Sequence, residues 1–377
     1  MRLRIAALAM GAALSAGCAG ISSVQEGPRN IILFVGGGMG FNTLTATRIY
    51  AVGESGDLAI DTLPESAFVK TWSNDMQVTD EAAAMSAMLT GHKTNNGALA
   101  MSDCASGGKP VPTLMELAAQ RGMGTGLVSN VEITDAMTAA AFVHSCRHPG
   151  SEAAAAALRA SGIDVALGGD AAKQPNLPQM TVEAIERLSR NGKGFVLLVS
   201  NGLIDRAAHG ADARAVVEEA AAQDRALRAA IDTMQQRDPG LKHTLIVATA
   251  SHDSTLVLNG YSTITGRTTA TEPGVLGLLR RYGSGKLAKD LDGAPYTIIG
   301  FGNGPHRVDA VRPESLDAKA VASPDYRYEA AVRNAPDATS HGGTDVYLGA
   351  IGAGAERFRG TIDNTDVFKL IKAAAGL

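Results

Sequence analysis

The chain has 377 residues, 45% of them hydrophobic and 19% charged, which is enough for a sizeable core in one domain. The formal net charge is -4, aromatic residues make up 4%, and no basic stripe is present. Those values exclude nucleic-acid binding and electrostatic docking on a membrane as main functions.

The chain opens on a positive start, Met1-Arg2-Leu3-Arg4. An apolar run follows at 5–16, too short to span a bilayer. Leu14-Ser15-Ala16-Gly17-Cys18 resembles a bacterial lipoprotein cleavage site, with Cys18 carrying the lipid. The alternative is ordinary signal cleavage after a small residue. Residues 1–18 are therefore expected to be an export signal, placing the mature chain in the periplasm or outer envelope. Any membrane attachment would be through Cys18. The other two cysteines, Cys104 and Cys146, are expected to form a disulfide in an oxidising compartment.

From there, apolar strands recur at 31–35, 126–129, 165–168, 195–199, 245–249, 297–301 and 346–351. Helical stretches intervene at 113–121, 152–161, 180–191, 211–236 and 367–375. This alternation predicts an α/β fold, a mostly parallel central sheet with helices on both faces. Residues 261–337 are rich in Gly, Pro and Thr in parts and read as an insertion in a domain spanning 28–377. There is no internal repeat.

Three groups of residues carry chemistry. Asp205 and His209 are four apart, so on a helix they share one face, one turn from each other. His341 can complete a set of two His and one carboxylate, a common catalytic zinc shell with an open position. An isolated Asp/His pair at this spacing is more often a surface salt bridge. Gly36-Gly37-Gly38 follows an apolar strand; it suits a phosphate-cradling loop, but a strand-to-helix turn uses glycine for backbone reasons, and that reading is favoured. His92, His144, His148 and His306 have no distinctive partner spacing and read as structural or solvated.

Several segments, taken in order, resemble one family. They are Asn30 to Gly40, Val78-Thr79-Asp80-Glu81-Ala82-Ala83-Ala84 running on to Thr90-Gly91-His92-Lys93-Thr94-Asn95-Asn96-Gly97-Ala98, Phe195 to His209, and Leu245 to Asp253. Thr339-Ser340-His341-Gly342-Gly343 and Gly360-Thr361-Ile362-Asp363-Asn364-Thr365-Asp366 continue the series. Together they resemble the alkaline phosphatases from about Asn30 to the C-terminus, which implies an alkaline-phosphatase-like fold.

The resemblance implies roles. Asp205, His209 and His341 match the ligands of a first zinc, and His252 matches the histidine of a second. Arg147 matches the arginine that grips the substrate phosphate, unless it only pairs with Asp135, which matches an acidic residue beyond the direct ligands. The departures alter the chemistry. Glu81 stands where the family has its nucleophilic serine. Gly37 and Ser251 replace the two carboxylates of the second zinc. Ser200 and Met137 replace magnesium ligands, and magnesium needs oxygen donors.

The resemblance with these departures implies one zinc, a doubtful second and no magnesium. His252 would be left almost alone. Asp253 is on the wrong side of it to replace the lost aspartate, though a shifted loop could use it.

Glu81 then has four readings: metal ligand, general base for a zinc-activated water, covalent nucleophile, or an inert relic that repels phosphate. The expected function is a zinc-centred hydrolysis of a small anionic substrate, an ester among the candidates, with Glu81 as base and Arg147 as anion grip. The rivals are a pseudo-phosphatase that binds a ligand or partner, and a weak phosphomonoesterase. A homodimer is compatible with this reading.

Overall fold

The structure is a computed structural model that describes residues 27–169, 176–306, 316–334 and 339–377. The expected export signal, with Cys18, lies outside the described residues. No helix among the described residues is long and apolar enough to cross a membrane.

The strands, in chain order, are β1 (Asn30–Gly36), β2 (Glu65–Lys70), β3 (Gly124–Ser129), β4 (Val165–Leu167), β5 (Phe195–Asn201) and β6 (Thr244–Ala250). They continue with β7 (Asp253–Ser254), β8 (Leu256–Leu258), β9 (Ile299–Gly304), β10 (Ala330–Arg333), β11 (His341–Gly342), β12 (Val346–Gly352) and β13 (Gly360–Asp363). The helices are α1 (Phe41–Val52), α2 (Glu81–Thr90), α3 (Leu114–Gln120), α4 (Ala136–Ala139), α5 (Ser151–Ser161) and α6 (Leu177–Leu188). Next come α7 (Leu203–His209), α8 (Ala213–Arg237), α9 (Ala318–Ala322) and α10 (Asn364–Ala375).

Among the described residues the central sheet has eight strands in the order β13-β2-β12-β6-β1-β5-β3-β4. β1 runs parallel to both β5 and β6, and β3 runs parallel to β5 and β4. β12 alone is antiparallel to its neighbours β6 and β2. β1, β5 and β6 are buried almost throughout, as expected for parallel strands covered on both faces. One group of helices, α1, α6 and α7, packs on the long helix α8; the other gathers α3, α4 and α10 around α2. They cover the two faces of the sheet.

The helix ends follow from local chemistry. Asp212 caps α8 by accepting from the Ala215 amide, and Val216, Val217, Ala220, Leu227, Ile231 and Met234 form its buried stripe. Asn176 and Gln179 form a capping box at α6, and Thr113 and Glu116 form one at α3.

One predicted strand sits elsewhere. The segment expected at 297–301 becomes β9, which joins β8 and β10 in a separate three-stranded sheet. β8 begins before residue 261, so this small sheet straddles the start of the expected insertion. Cys104 and Cys146 form a disulfide.

Candidate metal centre

The carboxyl ends of the parallel strands β1, β5 and β6 converge on one place. Open α/β sheets put their sites there. β1 ends in Gly36-Gly37-Gly38, where Gly38 has φ +63°. β5 leads into α7, which carries Asp205 and His209. β6 leads into Ser251 and His252. The two-residue strands β7 and β11 then pair antiparallel, with His341 opposite Ser254. That short ladder brings His341 beside His252.

Glu81 arrives from α2. Asp80 caps this helix, its carboxylate accepting from the amides of Ala83 and Gly97. Gly91 closes it in the left-handed conformation. Glu81 is thereby fixed as the first helical residue, with the rest of α2 buried behind it.

Each of three imidazoles is held by its Nδ1. His209 Nδ1 meets the Thr339 carbonyl at 2.6 Å. His341 Nδ1 meets the Thr79 carbonyl at 2.9 Å, and His252 Nδ1 meets the Asp253 carbonyl at 2.9 Å. A carbonyl only accepts, so each Nδ1 donates and each neutral ring turns a bare Nε2 inward. Such backbone tethers are the usual supports of metal-ligating histidines.

The Nε2 atoms face two carboxylates. His209 Nε2 lies 3.1 Å from Asp205 Oδ2 and 3.2 Å from His341 Nε2. Two ligand atoms on one tetrahedral zinc are about 3.3 Å apart, given bonds of about 2.0–2.1 Å. The third edge, His341 Nε2 to Asp205 Oδ2, is wider at 3.9 Å. Glu81, Asp205, His252 and His341 each offer a ligand atom within 4.8 Å of the others. His252 is 0% exposed, and its Nε2 has no hydrogen-bond partner. A fully buried bare nitrogen aimed at carboxylates suits a cation. This donor set of imidazole and carboxylate fits zinc.

Without a cation, protons share the same space. Burial pushes the His252 pKa down, but Glu81 and Asp205 outweigh it and hold it up at about 9. Asp205 raises His209 against the opposing effect of burial. Burial and the charge of His252 lower His341. Burial alone would raise Glu81, yet His252, Asp205 and His341 hold it well below the usual carboxylate range.

The structure brings together Glu81, Asp205, His209, His252 and His341, and His252 is not left alone as the resemblance implied. Among the described residues no hydrogen bond or ion pair links Arg147 to them. Its side chain is exposed and makes none elsewhere among those residues. The alternative pairing of Arg147 with Asp135 does not form among the described residues. Arg206 takes Asp135 at 3.3 Å and Glu132 at 2.7 Å. Arg206 directly follows Asp205 on α7, so its side chain leaves the helix on a different face from the metal-facing pair. The Asp253 carboxylate does not take the place of the lost aspartate beside His252 either. It accepts from the Thr344 hydroxyl and the Ser254 amide.

Sequence reasoning also passed over Asp80, Thr79 and Thr339, which orient the helix and the rings. Asp80 was within reach, because Asp directly before an alanine-rich run is an N-cap pattern. The two carbonyl tethers leave no trace in residue type.

The other altered positions are closed. Ser251 Oγ donates to the Gly36 carbonyl, and Ser200 Oγ to the Val128 carbonyl. Met137 is buried, and its sulfur lies 3.3 Å from where a Gly37 Cβ would stand. A cavity of about 410 Å3 in the 262–318 region, lined in part by Glu272, Arg280 and Asp317, contains none of these groups.

The family model described as alkaline phosphatase matches residues 28–162 and 157–377. The chain belongs to the alkaline phosphatase family. It is 26% identical to the tissue-nonspecific alkaline phosphatase of Gallus gallus, over 89% of this chain and 82% of that protein. It is 28% identical to streptomycin-6-phosphate phosphatase of Streptomyces griseus, over 97% and 95%. Among solved structures, the alkaline phosphatase of the Antarctic bacterium TAB5 aligns with a TM-score of 0.67 at 20% identity, covering 93% of this chain and 99% of that one. The cold-active alkaline phosphatase of a Shewanella species aligns at 0.68 and 22%, covering 92% and 99%. These structural matches establish the alkaline phosphatase fold, and the sequence match extends over nearly the whole described chain.

Proposed function

We propose that this alkaline phosphatase relative is an exported, metal-dependent hydrolase of small anionic esters that forms no phosphoserine. The observation that carries the reading is the convergence of three backbone-tethered imidazoles on Asp205 and Glu81. A zinc ion held there supplies Lewis-acid chemistry, activating water near neutral pH and polarising an ester oxygen. Asp205, His209 and His341 would hold it. Glu81 stands where it can take a proton from water or share the metal; its carboxyl is ionised, and its low pKa in the metal-free protein suits the ligand task better than proton acceptance. Arg147 is solvent-facing and unpaired among the described residues, which leaves it free for an anionic group. The lipid anchor on Cys18 and the envelope location belong to the same proposal.

A second reading has its own support. Glu81 puts a negative charge where the relatives' nucleophile stands, and a phosphate dianion is repelled by a like charge in a low-dielectric site. A non-catalytic ligand-binding role follows if that repulsion dominates.

The deciding experiment is a screen of zinc-loaded protein against phosphate monoesters, phosphate diesters, sulfate esters and carboxylic esters. Turnover that disappears with chelator and in His209→Ala is the expected result. No turnover of any ester class by fully loaded protein would favour the binding role. A trapped phosphoserine would overturn the non-phosphoserine route.

A further inference from the structure

We infer that Glu81 and Asp205 are paired bridging ligands that link two metal positions, one faced by His209 and His341, the other by His252. This rests on the metal-dependent reading above and goes beyond the single zinc implied by the sequence.

The two carboxylates divide their oxygens in the same sense. Asp205 Oδ2 faces His209 Nε2 at 3.1 Å, while Oδ1 faces His252 Nε2 at 4.0 Å. Glu81 Oε2 faces His341 Nε2 at 3.8 Å, while Oε1 faces His252 Nε2 at 3.8 Å. The three separations of 3.8–4.0 Å are too long for hydrogen bonds. They suit atoms that share a metal from neighbouring corners. One position would then have His209, His341, Asp205 Oδ2 and Glu81 Oε2. The other would have His252, Asp205 Oδ1 and Glu81 Oε1, three protein ligands with room for a fourth.

The alternative is that a proton alone settles His252. A proton satisfies one hydrogen bond at about 2.7–2.9 Å to one carboxylate. Here Nε2 is nearly equidistant from two carboxylates and bonded to neither. A divalent ion, with longer reach and several open positions, suits that arrangement.

The altered residues explain why Glu81 is needed. Gly37 has no side chain, and Ser251 spends its hydroxyl on the Gly36 carbonyl. Neither supplies a carboxylate beside His252. Glu81 enters from the opposite element, α2, with a side chain long enough to reach both positions. Met137 stands where the resemblance puts a magnesium ligand, and its thioether is a poor ligand for a hard cation.

The test is metal stoichiometry and metal–metal coupling, neither of which needs a substrate. Metal-free protein is titrated with zinc and assayed by elemental analysis, for the native chain, Glu81→Gln, Glu81→Ser and His252→Ala. Parallel samples loaded with Mn(II) are read by EPR, with thermal melts to check folding. The expected result is two zinc ions in the native chain and a coupled Mn(II) signal. Each variant should keep one zinc, bind the second at least tenfold more weakly, and lose the coupling. If either folded Glu81 variant keeps two metals at native affinity with coupling intact, Glu81 is not a bridge. If the native chain binds one zinc and the Glu81 variants bind it equally well, the bridging inference fails while the metal-dependent reading stands. If the native chain binds no zinc, the metal-dependent reading itself fails.

Discussion

His252 and His341 lie face to face, with ring centroids 3.8 Å apart and planes 11° from parallel. Two imidazolium rings cannot stack so closely without strong repulsion. In the metal-free protein the proton therefore goes to one ring. His252 keeps it, held up to about 9 by Glu81 and Asp205 despite burial, while His341 is pushed down by burial and by His252.

A pH dependence follows. An unfolded histidine titrates near about 6.5. The His252 pKa is higher in the folded chain, so its contribution to metal-free stability is fully present below about 6.5 and is lost as pH rises through about 9. His209, also raised, acts in the same direction. His341 is lowered, so its opposing effect falls below about 6.5, outside this window. The metal-free protein should melt at a lower temperature as pH rises from 6.5 to 9. Zinc competes with the same protons, so its affinity and its stabilising effect should rise across that window. Melting curves with and without zinc check both; a metal-free melting temperature that rises with pH contradicts the assignment.

His209→Ala or His341→Ala should lower zinc affinity by at least about a hundredfold. Losing the hydrogen bond that supports a ligand already costs about 10–100-fold, and removing the ligand itself should cost no less. Zinc titration against a chelating indicator measures this. Native affinity in either variant would show that the 3.1 and 3.2 Å contacts around His209 Nε2 are a proton-sharing network instead.

How much of this was legible depends on the range of each interaction. β1, β5 and β6 announce themselves as continuous apolar runs, and α8 by its periodic stripe. The Asp205–His209 pair is local to one helical turn, so spacing alone exposes it. α2 is harder to see from periodicity, because its alanines and methionines are buried all round and leave no polar face. β9 looks like any central strand; only its pairing with β8 and β10 puts it in another sheet. The His252–His341 stack depends on a two-residue ladder between distant segments, and nothing in the local sequence encodes it. The same holds for Arg206 taking Asp135, which leaves Arg147 to solvent.

Arg147→Ala tests that freedom. If Arg147 grips the anionic group of the substrate, the variant should raise KM about tenfold or more, in line with the loss of a charged hydrogen bond. Zinc content and melting temperature should not change, since the exposed side chain makes no hydrogen bond or ion pair among the described residues. An unchanged KM would transfer the role to another cation, with Arg206 at the rim the next to examine.

Gly37→Asp should not rebuild a lost metal position. A Cβ there would stand 3.0 Å from Asp205 Cβ and 3.3 Å from Met137 Sδ, tighter than ordinary contact. Overpacking of this kind costs about 1–3 kcal/mol. Gly37→Asp with Met137→Thr frees space and restores an oxygen donor, so the pair should be less destabilising than the sum of its parts. Chemical denaturation and magnesium titration of both variants check this. Tight magnesium binding by the single variant would mean that Met137 moves aside freely.

Glu81→Ser restores the hydroxyl that the family uses, yet it should not yield a strong phosphatase. A serine attacks phosphorus efficiently only when a neighbouring metal lowers its pKa and stabilises the alkoxide. In this chain that metal would have His252 and Asp205 Oδ1 as ligands, because Gly37 offers none and Ser251 offers a hydroxyl in place of a carboxylate. Removing Glu81 also takes away the second carboxylate facing His252. The substitution thus adds a nucleophile and weakens the ion that would activate it. Turnover of an aryl phosphate by zinc-loaded Glu81→Ser should stay within about tenfold of the native chain, well short of the several orders of magnitude that separate an active phosphatase from the uncatalysed reaction. Efficient turnover with a trapped phosphoserine would show that His252 and Asp205 alone can hold the activating ion.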